Sequence, residues 1–255
     1  MKRDAMSLLE RSALVLDAFP GGSALTLAEV SSRTGLPRST THRLLVDLTG
    51  LGWLSRSDNK FELGIALFEL GERVSVKHRL RTTAMPFMQD LFAVTEQTVH
   101  LAVRDRYDAV YVEKIHGHVA VPLPSQIGGR LPLTCTAVGK ALLASENAAV
   151  RTEVLAQPIR RYTTNSITNR KRLASELDEI RRTGVAIERE EAAIGGCCLA
   201  SPVLLAGQPF AAISVSVPTD GFKPELLAPA VRTTALALSR ALSRTTRPTD
   251  EDGIN

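Results

Sequence analysis

The chain has 255 residues, 44% of them apolar, with three cysteines and a formal net charge of +4. That is enough for one large or two ordinary domains with real hydrophobic cores. No run approaches the roughly 20 apolar residues that span a bilayer, and no secretory apolar region follows Met1-Lys2-Arg3-Asp4, so a cytoplasmic protein without a membrane partner is expected.

The charge is unevenly placed. Residues 1–84 carry 12 Lys/Arg against 9 Asp/Glu, and the remaining 171 carry 19 against 18. Such a small excess at one end fits local phosphate contacts rather than a broad positive field. Cys135, Cys197 and Cys198 fit a reducing compartment, because a vicinal pair closes no useful loop. Their spacing is not that of a zinc site, and no metal or cofactor is expected.

In chain order, Ser7–Phe19 reads as a helix whose apolar side is Leu8, Leu9, Ala13, Leu14, Leu16 and Ala18, ended by Pro20-Gly21-Gly22. Thr26-Leu27-Ala28-Glu29 is a capping box that starts a second helix, and Gly35 supplies the positive φ that stops it. Pro37 suits the first turn of a third helix. There Thr41, Leu44, Leu45 and Leu48 share an inward face, while Arg38, Ser39, His42, Arg43 and Val46 stay open. Two helices with a sharp turn and a basic, hydroxyl-rich second helix form the helix-turn-helix pattern. Its first turn offers backbone N–H groups and hydroxyls to phosphate, and its arginines reach phosphate or guanine edges. Trp53–Gly64 alternates about Ser57-Asp58-Asn59 and reads as a hairpin, the wing of a winged helix, with Arg56 and Lys60 near its tip. The expected DNA-binding residues are therefore Arg38, Ser39, Thr40, His42, Arg43, Arg56 and Lys60, with Thr40 at the edge of the buried face. Arg38, Ser39 and Thr40 mainly position; His42 and Arg43 read.

Ile65–Val74 continues as a helix, either a plain connector or a dimer-forming helix through Leu67, Leu70 and Val74. The dimer is favoured, because one short reading head has limited affinity. A second domain begins near Thr83, with a helix over Met85–Thr95 and strands over Thr98–Val103 and Ala109–Lys114. Further strands are expected at His118–Leu123, Val185–Arg189, Cys198–Leu204 and Phe210–Val217. Helices are expected at Thr136–Ala144, Ala148–Leu155, Asn169–Arg182 (capped by Thr168 and closed at Gly184) and Pro224–Leu242. Hairpins interleaved with helices indicate an α+β domain with an antiparallel-rich sheet. The division is 1–64 head, 65–82 helical connector, 83–246 second domain and 247–255 disordered tail.

The densest segment is Gly128–Ala144: a Gly-rich turn, a short extended piece, and a helix start of hydroxyl and small residues. Free N–H groups there suit the carboxylate of a small acid. Gly139-Lys140 is not a P-loop, since Ala141 follows the lysine and no glycine stands at 134. Cys135 with His100, His116 or His118 could form a nucleophile pair, but sequence places no histidine within its reach.

The chain resembles the IclR family of bacterial transcriptional regulators over nearly its whole length. In the head the resemblance rests on Leu36-Pro37-Arg38-Ser39-Thr40-Thr41-His42-Arg43-Leu44-Leu45. Beyond it, the carriers are Gly129-Arg130-Leu131-Pro132-Leu133, Thr136-Ala137-Val138-Gly139-Lys140-Ala141, and Glu190-Glu191 through Gly195 to Cys198-Leu199-Ala200-Ser201-Pro202-Val203. Thr134 departs from the His or Tyr common in the family. The resemblance implies a winged helix-turn-helix head, a GAF-like effector-binding domain, and dimers or dimers of dimers on double-stranded operator DNA. It implies a pocket for a small organic acid effector lined by Leu131, Ala137, Val138, Glu188, Cys198, Ser214 and Ser216. Strand alternation independently sets Ser214 and Ser216 on one face. The competing reading is a small-molecule-binding enzyme or cysteine redox sensor whose head is an interaction module.

Overall fold

The computed structural model describes residues 6–119 and 123–245, the side chains of 75–78 and 245 excepted. The chain divides into two compact units between His78 and Arg79.

In the first unit, α1 (Leu8–Asp17) opens on a capping box between Ser7 and Glu10. Val15 and Phe19 are buried here, whereas Leu8, Leu9 and Ala13, expected on the apolar side, are exposed. The reason is geometric: α1 meets its neighbours through its C-terminal half, so its first turn is left uncovered among the described residues. β1 (Leu25–Thr26) leads into α2 (Leu27–Thr34), where Thr26 and Glu29 cap each other as expected and Gly35 closes the helix at φ 62°. Pro37 is the residue before α3 (Arg38–Gly50). Thr41, Leu44, Leu45 and Leu48 are the buried residues of α3. β2 (Leu54–Ser57) and β3 (Lys60–Leu63) form the hairpin, and Asp58 takes the left-handed conformation at its turn. β1 adds a third strand, pairing Leu25 with Phe61. A two-residue strand is too short to show alternation, which is why it was not visible in the sequence. α4 (Ile65–Glu72) follows.

α5 (Ser75–Thr95) starts ten residues before the expected Met85. Pro86 lies inside the helix, and Leu80, Ala84, Met88 and Leu91 keep one inward stripe across it. β4 (Thr98–Asp105), β5 (Asp108–Ile115) and β6 (Arg130–Pro132) are followed by α6 (Ala137–Ser145), α7 (Ala148–Ala156) and α8 (Arg170–Thr183). β7 (Ala186–Arg189), β8 (Gly196–Leu205), β9 (Gln208–Pro218) and α9 (Pro224–Thr245) complete the order. Asn169, not Thr168, caps α8: its side chain accepts the Arg172 N–H at 3.0 Å, and Gly184 closes the helix at φ 74°. The strand expected over His118–Leu123 does not form where it is described, and residues 120–122 lie outside the described residues, as does the expected tail 247–255.

The strands make one antiparallel sheet in the order β6-β5-β4-β9-β8-β7. α5 and α9 cover one face around Val99, Leu101, Leu199 and Ile213. α6 and α8 cover the other around Tyr111, Ala200 and Ala212. One irregularity matters for the site. Leu101 pairs with Glu113 and Ala102 with Tyr111, so Val112 is an extra residue in β5. A bulge of this kind re-aims the side chains beyond it. Glu113 consequently turns to the α5 face, where Arg81 Nε reaches it at 2.7 Å. Lys114, opposite His100, joins the α6 face.

Candidate functional site

Two separate features carry chemistry, one in each unit. In the head, Arg38, Ser39, His42 and Arg43 are all exposed on α3, and Thr40 is half-buried. Thr41 is turned inward, its hydroxyl donating to Pro37 O at 3.1 Å. The open row therefore begins at the first residue of the helix, where unpaired backbone N–H groups and the dipole favour phosphate. On the hairpin, Lys60 and Arg56 are exposed. Arg56 Nε donates to Asp58 O at 3.0 Å and its guanidinium lies 5.5 Å from the Phe61 ring centre, so it braces the turn as well as offering charge.

In the second unit a cavity lies between the sheet and the start of α6. It is a narrow space, partly open to solvent, and its walls stand close together. All seven residues expected from the sequence line it: Leu131, Ala137, Val138, Glu188, Cys198, Ser214 and Ser216. It is also lined by residues that were not expected, notably His100, Tyr111, Ser125, Thr136 and Ala192. His100 carried a signal of a kind, being an odd polar residue in an apolar strand. Its meaning depends on β4 pairing with β9, which sets it opposite Ser214.

The helix start is built by close approach. Thr136 Oγ1 donates to Pro132 O at 3.1 Å and accepts the Gly139 N–H at 3.1 Å. A Cβ on Gly139 would stand 2.5 Å from Leu133 Cα, so only glycine lets α6 press against that strand exit. The N–H groups of Ala137 and Val138 have no partner among the described residues. They face a site whose hydroxyls and one thiol are arranged in sequence: Cys198 Sγ and Ser216 Oγ lie 3.0 Å apart, and Ser216 Oγ lies 3.4 Å from His100 Nδ1.

The titrating groups are pushed toward neutrality. Burial, with the charges of Lys114 and His116, lowers His100 to about 3. Burial raises Glu188 to about 7 despite N–H bonds from Ala192 and Glu191, and its Oε2 is buried without a hydrogen bond from the described residues. Burial raises Cys135 to about 12 and carries Cys198 well above the ordinary thiol range. Such thiols are protonated at neutral pH and poor nucleophiles. Cys135 Sγ contacts Pro132 O, while His100 bonds Ser125 and Ser216, so the imagined Cys/His pair does not form. Among the described residues, no group of three His, Cys, Asp or Glu could hold a metal.

Behind the cavity lies Lys140, named in the sequence only within the failed P-loop and the Thr136–Ala141 motif, with no partner assigned to it. Its side chain is 0% exposed, and Nζ donates to Glu176 at 2.5 Å, Glu191 at 2.6 Å and Ile187 O at 2.9 Å. Glu191 in turn donates its backbone N–H to Glu188 Oε1, so the buried cation anchors the loop that forms the cavity's acidic wall.

A winged helix-turn-helix head followed by a separate α+β domain with a hydroxyl-lined cavity defines a class, the two-domain DNA-binding proteins. The pattern described as the IclR helix-turn-helix domain matches residues 8–58, and that of the bacterial transcriptional regulator IclR C-terminal matches 73–240. The chain belongs to the IclR family. It is 34% identical over 242 residues to the HTH-type transcriptional regulator XynR of Escherichia coli K12, covering 92% of this chain and 96% of that protein. It is 31% identical to the HTH-type transcriptional repressor AllR of Klebsiella pneumoniae, over 92% of this chain and 89% of the relative. Among solved structures, an IclR homolog from Microbacterium hydrocarbonoxydans complexed with 4-hydroxybenzoate superposes with a TM-score of 0.84 at 29% identity, covering 94% of this chain and 100% of that one. The Thermotoga maritima IclR gives 0.74 at 29% identity, over 92% and 98%. These relatives are transcriptional regulators, not enzymes, and no described helix is long and apolar enough to cross a membrane.

Proposed function

We propose that the protein is an effector-switched regulator whose head binds a pseudo-palindromic operator and whose cavity takes a small organic acid. The observation that carries the reading is the convergence of Ser214, Ser216, Thr136 and the unpartnered N–H groups of Ala137 and Val138 on one narrow space. These are donors for a carboxylate, and apolar Leu131, Ala137 and Val138 line the same space beside them. The relative that binds 4-hydroxybenzoate supports an acid as the ligand class.

On the DNA side, Arg38, Ser39 and Thr40 hold phosphate, His42 and Arg43 reach base edges, and Arg56 and Lys60 add contacts from the hairpin. The working unit is a homodimer or a dimer of dimers, with residues 65–82 as the connector. Exposed Ile65, Phe68, Leu70 and Val74 supply an apolar surface for such pairing. The acid acts by its different affinity for two arrangements of the dimer, and a near-complete switch takes about 5 kcal/mol. A gel shift on DNA upstream of the protein's own gene tests the reading. Binding that is released or strengthened by small carboxylic acids is expected; no binding, or binding indifferent to Arg38→Ala and Arg43→Ala, would overturn it.

A further inference from the structure

The cavity contains no lysine or arginine among its lining residues, yet it is assigned an anion. Lys114 stands just behind the wall. Its Nζ donates to Ser125 O at 2.9 Å and to Ser125 Oγ at 3.4 Å. Ser125 Oγ lies 2.8 Å from His100 Nε2 on the cavity side. His100 Nδ1 lies 3.4 Å from Ser216 Oγ, which points onward to Cys198 and the cavity. Lysine, serine, imidazole and serine thus form a chain with one charged end.

The direction of the protons in that chain follows from elementary constraints. An ammonium only donates, so Ser125 Oγ receives a donor from Lys114 and has its own proton to give. A neutral imidazole has one protonated and one bare nitrogen, and the bare one is the negative end of its dipole. With a cation beyond Ser125, that end is stabilised at Nε2, where it accepts the Ser125 hydroxyl proton. Burial keeps the ring neutral, so this alternation is available at working pH. His100 then carries its proton on Nδ1 and donates it to Ser216 Oγ, which leaves the Ser216 proton for a ligand carboxylate in place of Cys198 Sγ, a weak acceptor 3.0 Å away.

We infer that Lys114, outside the cavity, fixes the tautomer of His100 through Ser125 and so makes Ser216 a hydrogen-bond donor that selects a carboxylate over its neutral amide. Lys114 is a specificity-determining residue that never touches the ligand. The inference rests on the effector reading above, and the β5 bulge is what makes it possible. Because Val112 is an extra residue, Lys114 falls opposite His100 instead of turning to the α5 face.

The test has two arms, both on the full chain. Long-range proton–nitrogen spectra of the histidine rings read the tautomer without any ligand. Wild type is expected to show His100 neutral and protonated on Nδ1, with Lys114→Met and Ser125→Ala each giving a mixture. A wild-type Nε2–H ring, or a ring unchanged in both variants, overturns the inference. The second arm is a thermal-shift comparison of 4-hydroxybenzoate, benzoate and pyruvate with their amides. Wild type should prefer the acids, and Lys114→Met should reduce that preference on the order of tenfold, the worth of about one hydrogen bond. Equal response to acid and amide in wild type, or an undiminished preference in both variants, refutes it. Should none of these acids act on wild type, the failure counts against the effector reading, and the spectra alone decide the proton chain.

Discussion

Lys140 Nζ lies 2.6 Å from Glu191 Oε1, and the lysine side chain is wholly enclosed. Burial by itself would lower this lysine, but Glu191 and Glu176 hold it above its ordinary range. The pair sits where α6 begins its contact with the loop after β7, so it fixes the cavity wall from behind. Taking away one partner of a buried pair leaves an uncompensated charge, which costs about 3–5 kcal/mol. Lys140→Met is expected to lose stability of that order in urea unfolding, discounted for the partial exposure of Glu176, and to free Ile187 O as well. Adding Glu191→Gln should restore part of the loss; a double variant as unstable as the sum of the single ones would contradict the coupling.

Glu188 gives the second prediction, with a sign that can be worked out. Its folded-state pKa is raised from 4.5 to about 7, mainly by burial. The folded state therefore binds a proton that the unfolded chain has lost between those values. The contribution is fully present below about pH 4.5 and is lost as pH rises through about 7, amounting to roughly 3 kcal/mol at most. Glu188→Gln keeps an acceptor for the Glu191 and Ala192 N–H groups and removes the titration. The variant should match wild type near pH 4 and exceed it at pH 8 in denaturant midpoint, with a flatter pH profile between. An identical profile for both proteins would remove Glu188 as the source.

A third expectation separates the roles on α3. Arg43→Ala should relax sequence preference at one operator position by about 1–3 kcal/mol, whereas Arg38→Ala should weaken all sequences alike and lower the salt slope by about one. Binding titrations on operator variants at several salt concentrations check this. The same loss on every sequence for both variants would erase the distinction.

The fourth concerns Ser214, which is 2% exposed and pairs across the sheet with both His100 and Ala200. Ser214→Leu adds a branched side chain to a cavity whose walls already stand close together. Response to an effector should disappear, while operator binding by the separate head stays near wild type in a gel shift. An undiminished response would exclude Ser214 from the ligand's path.

Much of this was legible from local rules. Thr26 with Glu29, Gly35, and the inward set Thr41, Leu44, Leu45 and Leu48 were readable because capping and helical period depend on residues a few places apart. The seven cavity residues were named through resemblance, and only the Ser214 and Ser216 pairing rested on alternation. Misreadings came where a distant partner decides. Leu8 and Leu9 look like core but have no cover among the described residues, and the helix expected from Met85 begins upstream because the stripe of Leu80, Ala84, Met88 and Leu91 packs as one.

The sequence by itself determined the helix-turn-helix, the antiparallel hairpins and the family, because each is encoded in short-range pattern and ordered motif. Tertiary structure alone decided which polar groups lose water together. It brought His100 from β4 to Ser125 and Ser216, enclosed Lys140 with Glu176 and Glu191, and moved Lys114 to the cavity side through one extra residue in β5. Burial and strand register are properties of pairs far apart in the chain, and those properties set the charge and proton positions on which the site's chemistry depends.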